Sequence, residues 1–509
     1  MIETLTEKKR LQILLASSEM APFARTGGLG DVIAALGGRL ASVGHDVKVF
    51  LPKYSSVYQT GVSGVKSADS SAISINGTDY PLRWEVYHDK LTGLDVVFVI
   101  NDDLFHRPDI YTDRSTGLDY EDNDVRFIFL SRAALEISRR MKWCPDVVHA
   151  NDWQTGLLPV YLKTLYADDE FFEDTRSLLT IHNVAYQGVF KKESLLKLGI
   201  PGHYMEDPTV FTQRGKMNIL KSAIAFADKI STVSERYATE IQTVEYGYGL
   251  QRTLRERNAD LLGTLNGVDY NIWNPATDEL IAEKFDGAHL SAKLKNKSAL
   301  QKKVGLPVRN KHALLGMVTR LAEQKGIELF LEIADDVLGL DVQMVVLGKG
   351  EEKYVRALKE LEKRYAKKFR MVNEFDDVLA HQIEAGCDIF LMPSRYEPCG
   401  LNQMYSLRYG AVPVVRETGG LADTISEYNR EKDSGTGFLF TNFSSDELLE
   451  AFCRAHDLYL DKRAWKKLQK RGMACDFSWN TAVGRYEELY RATMAVTERT
   501  PVFDGAVAG

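Results

Sequence analysis

Short apolar runs alternate with amphipathic segments along the first half of the chain, and each run has the length of a buried strand. The runs that we predict as strands are residues 11–16, 45–51, 94–100, 147–150, 178–182 and 230–233. Helical patterns begin at Leu29 and Val125. Such alternation favours a parallel sheet with helices on both faces. Between Tyr54 and Leu94, a Gly/Ser-rich stretch and an alternating stretch predict an antiparallel insertion instead.

The alternation pauses at the Asn-Gly and Asn-Pro turn signals of residues 265–275 and resumes after a charged helix at 290–304. The strands predicted beyond it are residues 313–318, 342–347, 370–372, 389–392 and 412–415. The expected fold class is α/β, with two Rossmann-like, doubly wound parallel-sheet domains that face a central cleft. We expect the domains at residues 1–272 and 273–480. Residues 481–509 should hold a C-terminal helix that returns to the first domain, followed by a frayed tail.

Composition narrows the class of protein and of partner. The chain has 509 residues, 44% hydrophobic and 27% charged, which suits a globular protein of two domains. Its formal net charge of −7 gives no reason to expect nucleic acid or an anionic membrane as a partner. No apolar run reaches a membrane-spanning length or resembles a signal peptide, so we expect a cytoplasmic protein. Five cysteines without a C-x-x-C pair predict neither a disulfide framework nor a cysteine-based zinc site.

Two glycine-rich turns follow predicted strands and precede predicted helices, far apart in the chain. The first runs from Arg25 to Asp31 and reads Arg-Thr-Gly-Gly-Leu-Gly-Asp. The second reads Pro-Ser-Arg-Tyr-Glu-Pro-Cys-Gly-Leu at residues 393–401, and Thr-Gly-Gly-Leu-Ala-Asp follows at 418–423. Backbone N–H groups at a helix start attract phosphate, and glycine lets a phosphate approach them. Such turns also serve packing alone, so the first turn by itself leaves both interpretations open.

Two cations follow the first strand predicted in the second half. Arg320 and Lys325 lie where the ligand crevice of a doubly wound sheet is expected. Together they could neutralise a diphosphate leaving group in place of a metal ion, and a solvated basic turn is the alternative. The D-x-D pattern at residues 122–124 precedes a helix and is expected to cap it, so we expect no catalytic metal.

Polar side chains also follow other predicted strands. His182 could contact a sugar or serve as a structural hydrogen-bonding group. Asp152 could bind a hydroxyl or cap the next helix. Glu397 could bind sugar hydroxyls, oppose positive charge or cap a turn. Cys399 has no His–Cys constellation, so a packing or backbone-donor role is favoured over a nucleophile.

Several long motifs in one order carry a resemblance to a known family. They are residues 19–22 with the Thr-Gly-Gly-Leu loop, 149–153, 182–188, 266–269, 320–326, and 393–401 with 418–423. On these motifs the chain resembles the bacterial glycogen synthases and plant starch synthases over nearly its whole length. These are retaining glycosyltransferases of the two-Rossmann-domain (GT-B) type. The resemblance implies transfer of glucose from ADP-glucose to the non-reducing 4-hydroxyl of an α-1,4-glucan such as glycogen, without a metal or other cofactor.

The resemblance also implies roles for particular residues. The implied catalytic residues are Asp152, His182, Arg320, Lys325 and Glu397. The implied substrate-binding residues are Arg25, Thr26, Gly27, Gly28, Asn183, Asn266, Cys399, Gly400, Leu401, Thr418, Gly419 and Gly420. The two cations would hold the diphosphate with the glycine-rich backbones, His182, Asn183 and Glu397 would position glucose, and Asp152 would lie near the acceptor. In the front-face mechanism proposed for such enzymes the departing phosphate helps to take the acceptor proton, so no protein nucleophile is needed.

Two positions depart from the family pattern. The family's first loop usually begins with lysine, and Arg25 keeps the charge but not the shape, so rate and donor choice could change. Tyr405 stands where many retaining GT-B enzymes carry a second glutamate, but the synthase branch often differs there too. We therefore do not interpret Tyr405 as a loss of activity.

Other functions stay open at this point. A related enzyme could use UDP-glucose, and a catalytically silent scaffold could bind glucan without transferring glucose. A glucan phosphorylase-like enzyme would carry pyridoxal phosphate on a lysine, and no lysine here indicates that role. A dinucleotide dehydrogenase is disfavoured because the first glycine-rich turn lacks the G-x-G-x-x-G fingerprint. The sequence predicts no oligomeric state.

Overall fold

The structure is a computed structural model that describes residues 10–67 and 71–497. The strands are β1 (Gln12–Ala16), β2 (Asp46–Pro52), β3 (Val65–Lys66), β4 (Ser71–Ile75), β5 (Thr78–His88), β6 (Asp95–Ile100), β7 (Val147–Asn151), β8 (Arg176–Ile181), β9 (Val189–Phe190), β10 (Thr212–Gln213), β11 (Lys216–Asn218), β12 (Lys229–Thr232), β13 (Leu261–Gly263), β14 (Ala313–Val318), β15 (Val342–Leu347), β16 (Phe369–Val372), β17 (Ile389–Met392), β18 (Val412–Arg416) and β19 (Phe438–Phe440). The α-helices are α1 (Gly28–Ser42), α2 (Ser55–Gln59), α3 (Asp102–Phe105), α4 (Asn123–Arg140), α5 (Asp152–Thr155), α6 (Leu157–Leu162), α7 (Ile219–Phe226), α8 (Glu235–Glu240), α9 (Gln251–Glu256), α10 (Lys293–Lys303), α11 (Ile327–Gly339), α12 (Glu352–Arg364), α13 (Asp377–Gly386), α14 (Asn402–Arg408), α15 (Gly419–Thr424), α16 (Ser445–Leu460), α17 (Lys462–Met473) and α18 (Trp479–Met494).

The chain divides into two compact units. The first contains the described residues up to Val233, then Ala238–Gly267, and finally the residues from Trp479. The second contains Ser234–Tyr237 and Val268–Ser478. The sequence had placed these junctions after residues 272 and 480, and the tail expected after Thr500 lies outside the described residues. Within the described ranges, no helix is long and apolar enough to cross a bilayer.

The first unit is built on a largely parallel sheet with the strand order β13-β12-β8-β7-β1-β2-β6-β5-β3. Strand β5 runs antiparallel to β6, and β3 and β4 run antiparallel to β5, so the predicted antiparallel insertion is confirmed. A small sheet of order β10-β11-β9 belongs to the same unit. Helix α18 packs here, because its Tyr490 hydroxyl lies 2.9 Å from Nδ1 of the buried His149.

The second unit has a fully parallel sheet of order β16-β15-β14-β17-β18-β19. Alternate residues of a strand point to opposite faces. In β17, Ile389 and Leu391 join one buried apolar cluster, whereas Phe390 and Met392 join the other. This burial on both faces explains the continuous apolar runs in the sequence. The predicted α/β class with two doubly wound parallel-sheet domains is therefore confirmed.

The capping role expected of the D-x-D pattern is confirmed for Asp124 only, because its Oδ1 accepts a 2.7 Å hydrogen bond from the N–H of Val125 in the first turn of α4. Asp122 occupies the N-cap position without a side-chain capping bond, and its carboxylate accepts a 2.7 Å hydrogen bond from Arg107. Asp124 pairs with Lys197 at 2.6 Å. The carboxylates pair with cations from other segments, which residue spacing along the chain does not reveal.

Candidate active site

In the first unit, the strand order reverses at β1. The chain continues through β2 and β6 on one side of β1, and through β7, β8, β12 and β13 on the other. Both neighbours of β1 are parallel to it. Ligands of open α/β sheets bind beyond the carboxyl ends of the strands at such a reversal. The loops after β1 and β7 carry the glycine-rich turn and Asp152, so the topology places both at the expected binding edge.

The carboxylate of Glu19 holds the glycine-rich turn. Its Oε2 accepts hydrogen bonds from the N–H groups of Thr26 at 2.7 Å and Gly27 at 3.1 Å. Its Oε1 accepts from the hydroxyls of Thr26 and Tyr111, each at 2.7 Å. Glu19 is 4% exposed, so water competes little for these bonds. The N–H groups of Thr26 and Gly27 are therefore already used within the protein.

The start of α1 stays open to an anion. Gly28 and Leu29 form the first turn of this 15-residue helix, and their N–H groups donate to no acceptor in residues 10–67 or 71–497. Such groups carry the partial positive charge of a helix N-terminus. Arg25 stands beside them, with its Nε 3.2 Å from Oδ2 of Asp31. The turn therefore offers a ligand two backbone donors and a guanidinium that shares its charge with Asp31.

Asp152 does not cap the helix that it begins, so the capping alternative was wrong. Its Oδ1 instead accepts a 2.7 Å hydrogen bond from the backbone N–H of His182, at the end of β8. Asp152 has a backbone φ of 55°, which is unusual for a residue other than glycine. The residue is 8% exposed. Burial raises the pKa of Asp152 to about 7, and the nearby charge of Glu19 adds to this. Asp152 thus joins the ends of β7 and β8 and can exchange a proton near neutral pH.

His182 is half-buried and held by its side chain as well as its backbone. Its Nε2 lies 2.9 Å from Oδ1 of Asn151, the last residue of β7. Burial lowers the pKa of His182 to about 3, so the ring is neutral at pH 7. Two consecutive residues, Asn151 at the end of β7 and Asp152 at the start of α5, therefore fix this histidine.

Other polar residues of the first unit have structural partners. His149 is fully buried between the Thr180 and Tyr490 hydroxyls. Asn266 accepts a 3.0 Å hydrogen bond from the hydroxyl of Tyr486 and is 5% exposed. Asn183 accepts from the N–H of Ala185 at 3.1 Å, which closes a turn. Of these three residues, Asn183 is half-buried, whereas His149 and Asn266 are buried.

The second unit has its own strand-order reversal, at β14. Strands β15 and β16 follow on one side, and β17, β18 and β19 on the other. Arg320 and Lys325 follow β14, and Glu397 follows β17, which pairs directly with β14. The predicted cations and the predicted carboxylate therefore share one edge of this sheet, where ligands of such folds bind.

Lys325 and Glu397 form an ion pair. The Lys325 ammonium donates to Oε2 of Glu397 at 2.6 Å, and the Ser394 hydroxyl donates to the same oxygen at 3.0 Å. Glu397 is 6% exposed. Its other oxygen, Oε1, accepts no hydrogen bond from the described part of the chain. The sequence had left three roles open for Glu397, and the structure shows that it opposes positive charge while one oxygen stays available.

Arg320 differs from Lys325 in being exposed and unpaired. Its guanidinium forms no ion pair or hydrogen bond with any residue that the structure describes. An exposed guanidinium at the carboxyl end of β14 can meet a phosphate with two parallel N–H donors.

The two glycine-rich segments of this unit pack against each other. A Cβ on Gly419 would collide with the carbonyl oxygen of Glu397, and a Cβ on Gly420 with that of Cys399. The N–H of Gly420 donates to the carbonyl of Glu397 at 3.0 Å. Thr418 and Cys399 are buried beside them. These glycines therefore allow backbone contact, and the N–H of Gly420 is not free for a ligand.

The turn after Cys399 does expose backbone donors. The N–H groups of Gly400 and Leu401 donate to no acceptor among the described residues, and both residues are half-buried. They lie next in the chain to the Glu397 turn. Together with Arg320, they give this edge of the sheet three sets of donors without an internal partner.

Three residues at these edges were given no role from the sequence: Glu19, Asn151 and Ser394. Each lies just after a strand or at its last residue, and that position was the available signal. In residues 10–67 and 71–497, no three His, Cys, Asp or Glu side chains cluster so that they could hold a metal ion.

Comparison with known proteins finds matches along most of the chain. The family model described as the starch synthase catalytic domain matches residues 12–256, and that of the glycosyl transferases group 1 matches residues 299–471. The chain is 45% identical to the glycogen synthase of Geotalea daltonii, over 95% of this chain and 99% of that protein. It is 43% identical to the glycogen synthase of Thermotoga maritima, over 96% of this chain and 100% of that protein.

A solved structure shows the same fold. The catalytic domain of starch synthase IV from Arabidopsis thaliana, bound to ADP and acarbose, matches with a TM-score of 0.87 and 33% identity, over 96% of this chain and 100% of that one. The two α/β units, the two family models and the match to the starch synthase structure together place the chain among the hexosyltransferases with the GT-B fold. Identity above 40% over nearly the full length then places the chain in the glycogen synthase and starch synthase family.

Proposed function

We propose that this protein transfers glucose from ADP-glucose to the non-reducing 4-hydroxyl of an α-1,4-glucan, with retention at the anomeric carbon. The observation that carries the proposal is a set of donors at the carboxyl ends of β14 and β17 that have no partner in residues 10–67 or 71–497, namely Arg320 and the N–H groups of Gly400 and Leu401. Such donors suit the diphosphate of a nucleotide sugar. The relative solved with ADP supports a nucleotide donor, and the named glycogen synthases support a glucan acceptor.

The second unit would bind the donor. The planar guanidinium of Arg320 would donate two parallel hydrogen bonds to the diphosphate. The N–H groups of Gly400 and Leu401 would add two backbone donors. Lys325 would supply a second charge, held in place by Glu397. Negative charge develops on the diphosphate as the bond to glucose breaks, so preorganised donors lower the barrier at that moment. Oε1 of Glu397 would accept hydrogen bonds from glucosyl hydroxyls.

The first unit would bind the glucosyl group and the glucan. Gly28 and Arg25 would meet the donor from the start of α1, since the N–H groups of Thr26 and Gly27 are taken by Glu19. His182 and Asn183 would contact glucosyl hydroxyls. Asp152, with its pKa near 7, would lie beside the acceptor.

The proposed chemistry uses no protein nucleophile. The C1–O bond to the diphosphate breaks, and the acceptor 4-oxygen forms its bond to C1 on the same face of the ring. The acceptor proton passes to the departing phosphate oxygen, so charge and atoms balance between the two products. The protein supplies position and electrostatic stabilisation.

The proposal is tested by glucose transfer to glycogen from ADP-glucose and UDP-glucose side by side, without added metal, in the parent and in Arg25→Lys. We expect a strong preference for ADP-glucose in both proteins, because the two donors differ only in the nucleoside and position 25 keeps the charge that would face their common diphosphate. Preference for UDP-glucose in the parent would reassign the donor. Transfer from neither donor would favour the glucan-binding scaffold.

The proposed partners are one nucleotide sugar and one glucan, with no nucleic acid and no membrane. Cytoplasmic location stays a prediction of the sequence. Fractionation of the source cells would test it, with activity expected in the cytoplasmic fraction.

A further inference from the structure

Asn151 was not among the predicted site residues, but its side chain contacts one of them, His182. It is the last residue of β7, is 1% exposed, and lies between the end of β1 and the end of β8. Its Nδ2 donates to the carbonyl of Ala16 at 3.1 Å and lies 3.4 Å from the carbonyl of His149. Its Oδ1 lies 2.9 Å from Nε2 of His182. The side chain therefore connects three strand ends.

These contacts settle which way the Asn151 amide points. Two carbonyl oxygens can only accept hydrogen bonds, so the NH₂ group of Asn151 must face Ala16 and His149. Rotation of the amide by half a turn would place its oxygen against both carbonyls, so that three acceptors would face one another. The amide oxygen therefore faces His182.

The amide orientation in turn settles the proton on His182. An amide oxygen can only accept, so Nε2 of His182 must carry the hydrogen. The ring is neutral at pH 7, because burial lowers its pKa to about 3. A neutral imidazole carries one proton, so Nδ1 has an unshared lone pair. That nitrogen receives no hydrogen bond from residues within the described ranges.

We propose that Asn151 is a positioning residue that holds His182 as the Nε2–H tautomer, so that Nδ1 accepts a hydrogen bond from a glucosyl hydroxyl. The backbone of the same histidine is held by Asp152, so neighbouring residues fix the ring and the peptide together. A sugar hydroxyl can donate to Nδ1, whereas a phosphate oxygen without a proton cannot. His182 therefore selects the sugar part of the donor and not its phosphates. The hydroxyl contact rests on the proposed function, but the tautomer does not.

The charged and titratable neighbours are consistent with a neutral ring. Asp152 in α5 directs its carboxylate to the backbone of His182, and burial raises its pKa to about 7. His149 in β7 is itself neutral, because burial lowers its pKa to about 3. The carboxylate of Glu19, after β1, accepts hydrogen bonds from Thr26 of the glycine-rich turn. None of the three makes a hydrogen bond to the His182 ring.

The direct test is nitrogen NMR of the histidine rings in the full chain at pH 7, with the His182 signals assigned by their loss in His182→Gln. We expect a protonated Nε2 and an unprotonated, pyridine-like Nδ1. A proton on Nδ1, or a doubly protonated ring, would overturn the proposal. This measurement needs no substrate and stands even where the proposed function fails.

A second test replaces Asn151 by aspartate. A carboxylate at this position attracts the imidazolium form, so the pKa of His182 should rise by roughly one to three pH units in an NMR titration. The matched control is Asn101→Asp. Asn101 is a second buried asparagine of the same unit, and its side-chain amide forms hydrogen bonds with Leu104 and Pro81 and not with His182. An unchanged His182 pKa in Asn151→Asp, or an equal rise in the control, contradicts the assignment.

Transfer kinetics test the hydroxyl contact. In Asn151→Asp, kcat/KM should fall on acidification in step with the measured His182 pKa, because a protonated Nδ1 cannot accept a hydrogen bond. The parent and Asn101→Asp should show no such fall in kcat/KM at that pH. A fall in kcat/KM that does not follow the His182 pKa would overturn the hydroxyl contact. Absence of transfer in the parent would overturn both the hydroxyl contact and the proposed function. A protonated Nε2 of His182 in the nitrogen NMR of the parent would then still support the tautomer.

Discussion

At the scale of single residues, Lys325 and Arg320 show that two cations of one motif can have different physical roles. Lys325 is paired with a carboxylate that is almost fully buried, whereas Arg320 is exposed and has no partner among the described residues. An ammonium that neutralises a buried carboxylate stabilises the folded chain as well as a ligand. A free guanidinium contributes mainly when a ligand is present.

Replacement of each cation by alanine should therefore separate stability from turnover. We expect Lys325→Ala and Arg320→Ala each to lower kcat/KM by about two orders of magnitude, through lost stabilisation of the diphosphate. Lys325→Ala should also lower the free energy of unfolding by about 1–3 kcal/mol, because Glu397 is left buried and unpaired while Lys325 itself retains some contact with water. Arg320→Ala should leave it unchanged. Kinetics and chemical unfolding check both, and equal stability losses would contradict the distinction.

The pKa of Asp152 makes a prediction about stability and pH. Burial raises this pKa from an ordinary value near 4 to about 7, so between these values the folded chain binds a proton that the unfolded chain has lost. Stability attributable to Asp152 therefore falls as pH rises from about 4 to 7.

Asp152→Asn isolates this contribution, because the amide oxygen can still accept the His182 N–H. The variant should gain stability relative to the parent at pH 8 and gain less at pH 5. Unfolding in denaturant at both pH values measures the difference, and the parent-to-variant comparison removes the opposite contributions of the buried histidines. A difference independent of pH would show that Asp152 is not protonated in the folded chain.

At the scale of elements, the contact between the 397–399 turn and the start of α15 fixes the second edge. Gly419 and Gly420 lie against the carbonyl oxygens of Glu397 and Cys399 with no space for a side chain. The N–H of Gly420 binds the same turn. The position of this turn therefore depends on glycine at residues 419 and 420. The turn carries Glu397 and leads directly into the N–H donor of Gly400.

Gly420→Ala should therefore displace the turn. We expect a loss of about 1–3 kcal/mol in unfolding free energy, as for other overpacked sites, together with reduced kcat/KM. The control is Gly339→Ala, at the end of α11 in the same unit, where an added Cβ meets nothing within 4 Å. The control should retain parental stability and activity. Equal behaviour of the two variants in thermal unfolding would contradict the role of the contact.

The longer buried strands were predictable from the sequence, whereas the short strands β9, β10, β11, β13 and β19 and the pairing of side chains were not. Strand β14 was predicted at its observed bounds, because a strand buried on both faces leaves an uninterrupted apolar run. The contacts of Glu19, Asp152 and Asn151 depend on which strand ends are neighbours. That order becomes known only from the sheet, so local spacing suggested capping for Asp152 instead.

At the scale of the whole molecule, the chain builds two parallel-sheet units, each with a reversal of strand order, and returns to the first unit through α18. The motifs singled out in the sequence fall mainly at these two reversals. This follows from the physics of open α/β sheets, in which helices cover the faces and leave the strand ends for ligands. The long matches to glycogen synthases span both units.

The measurement that tests the central claim most directly is incorporation of labelled glucose from ADP-glucose into glycogen by the parent, Arg320→Ala and Arg356→Ala. Arg356 is a matched control, because it is an exposed arginine of the same unit that lies within α12 and not directly after a strand. We predict transfer by the parent and by Arg356→Ala, and a rate about two orders of magnitude lower in Arg320→Ala. No transfer by the parent, or parental transfer by Arg320→Ala, would contradict the account.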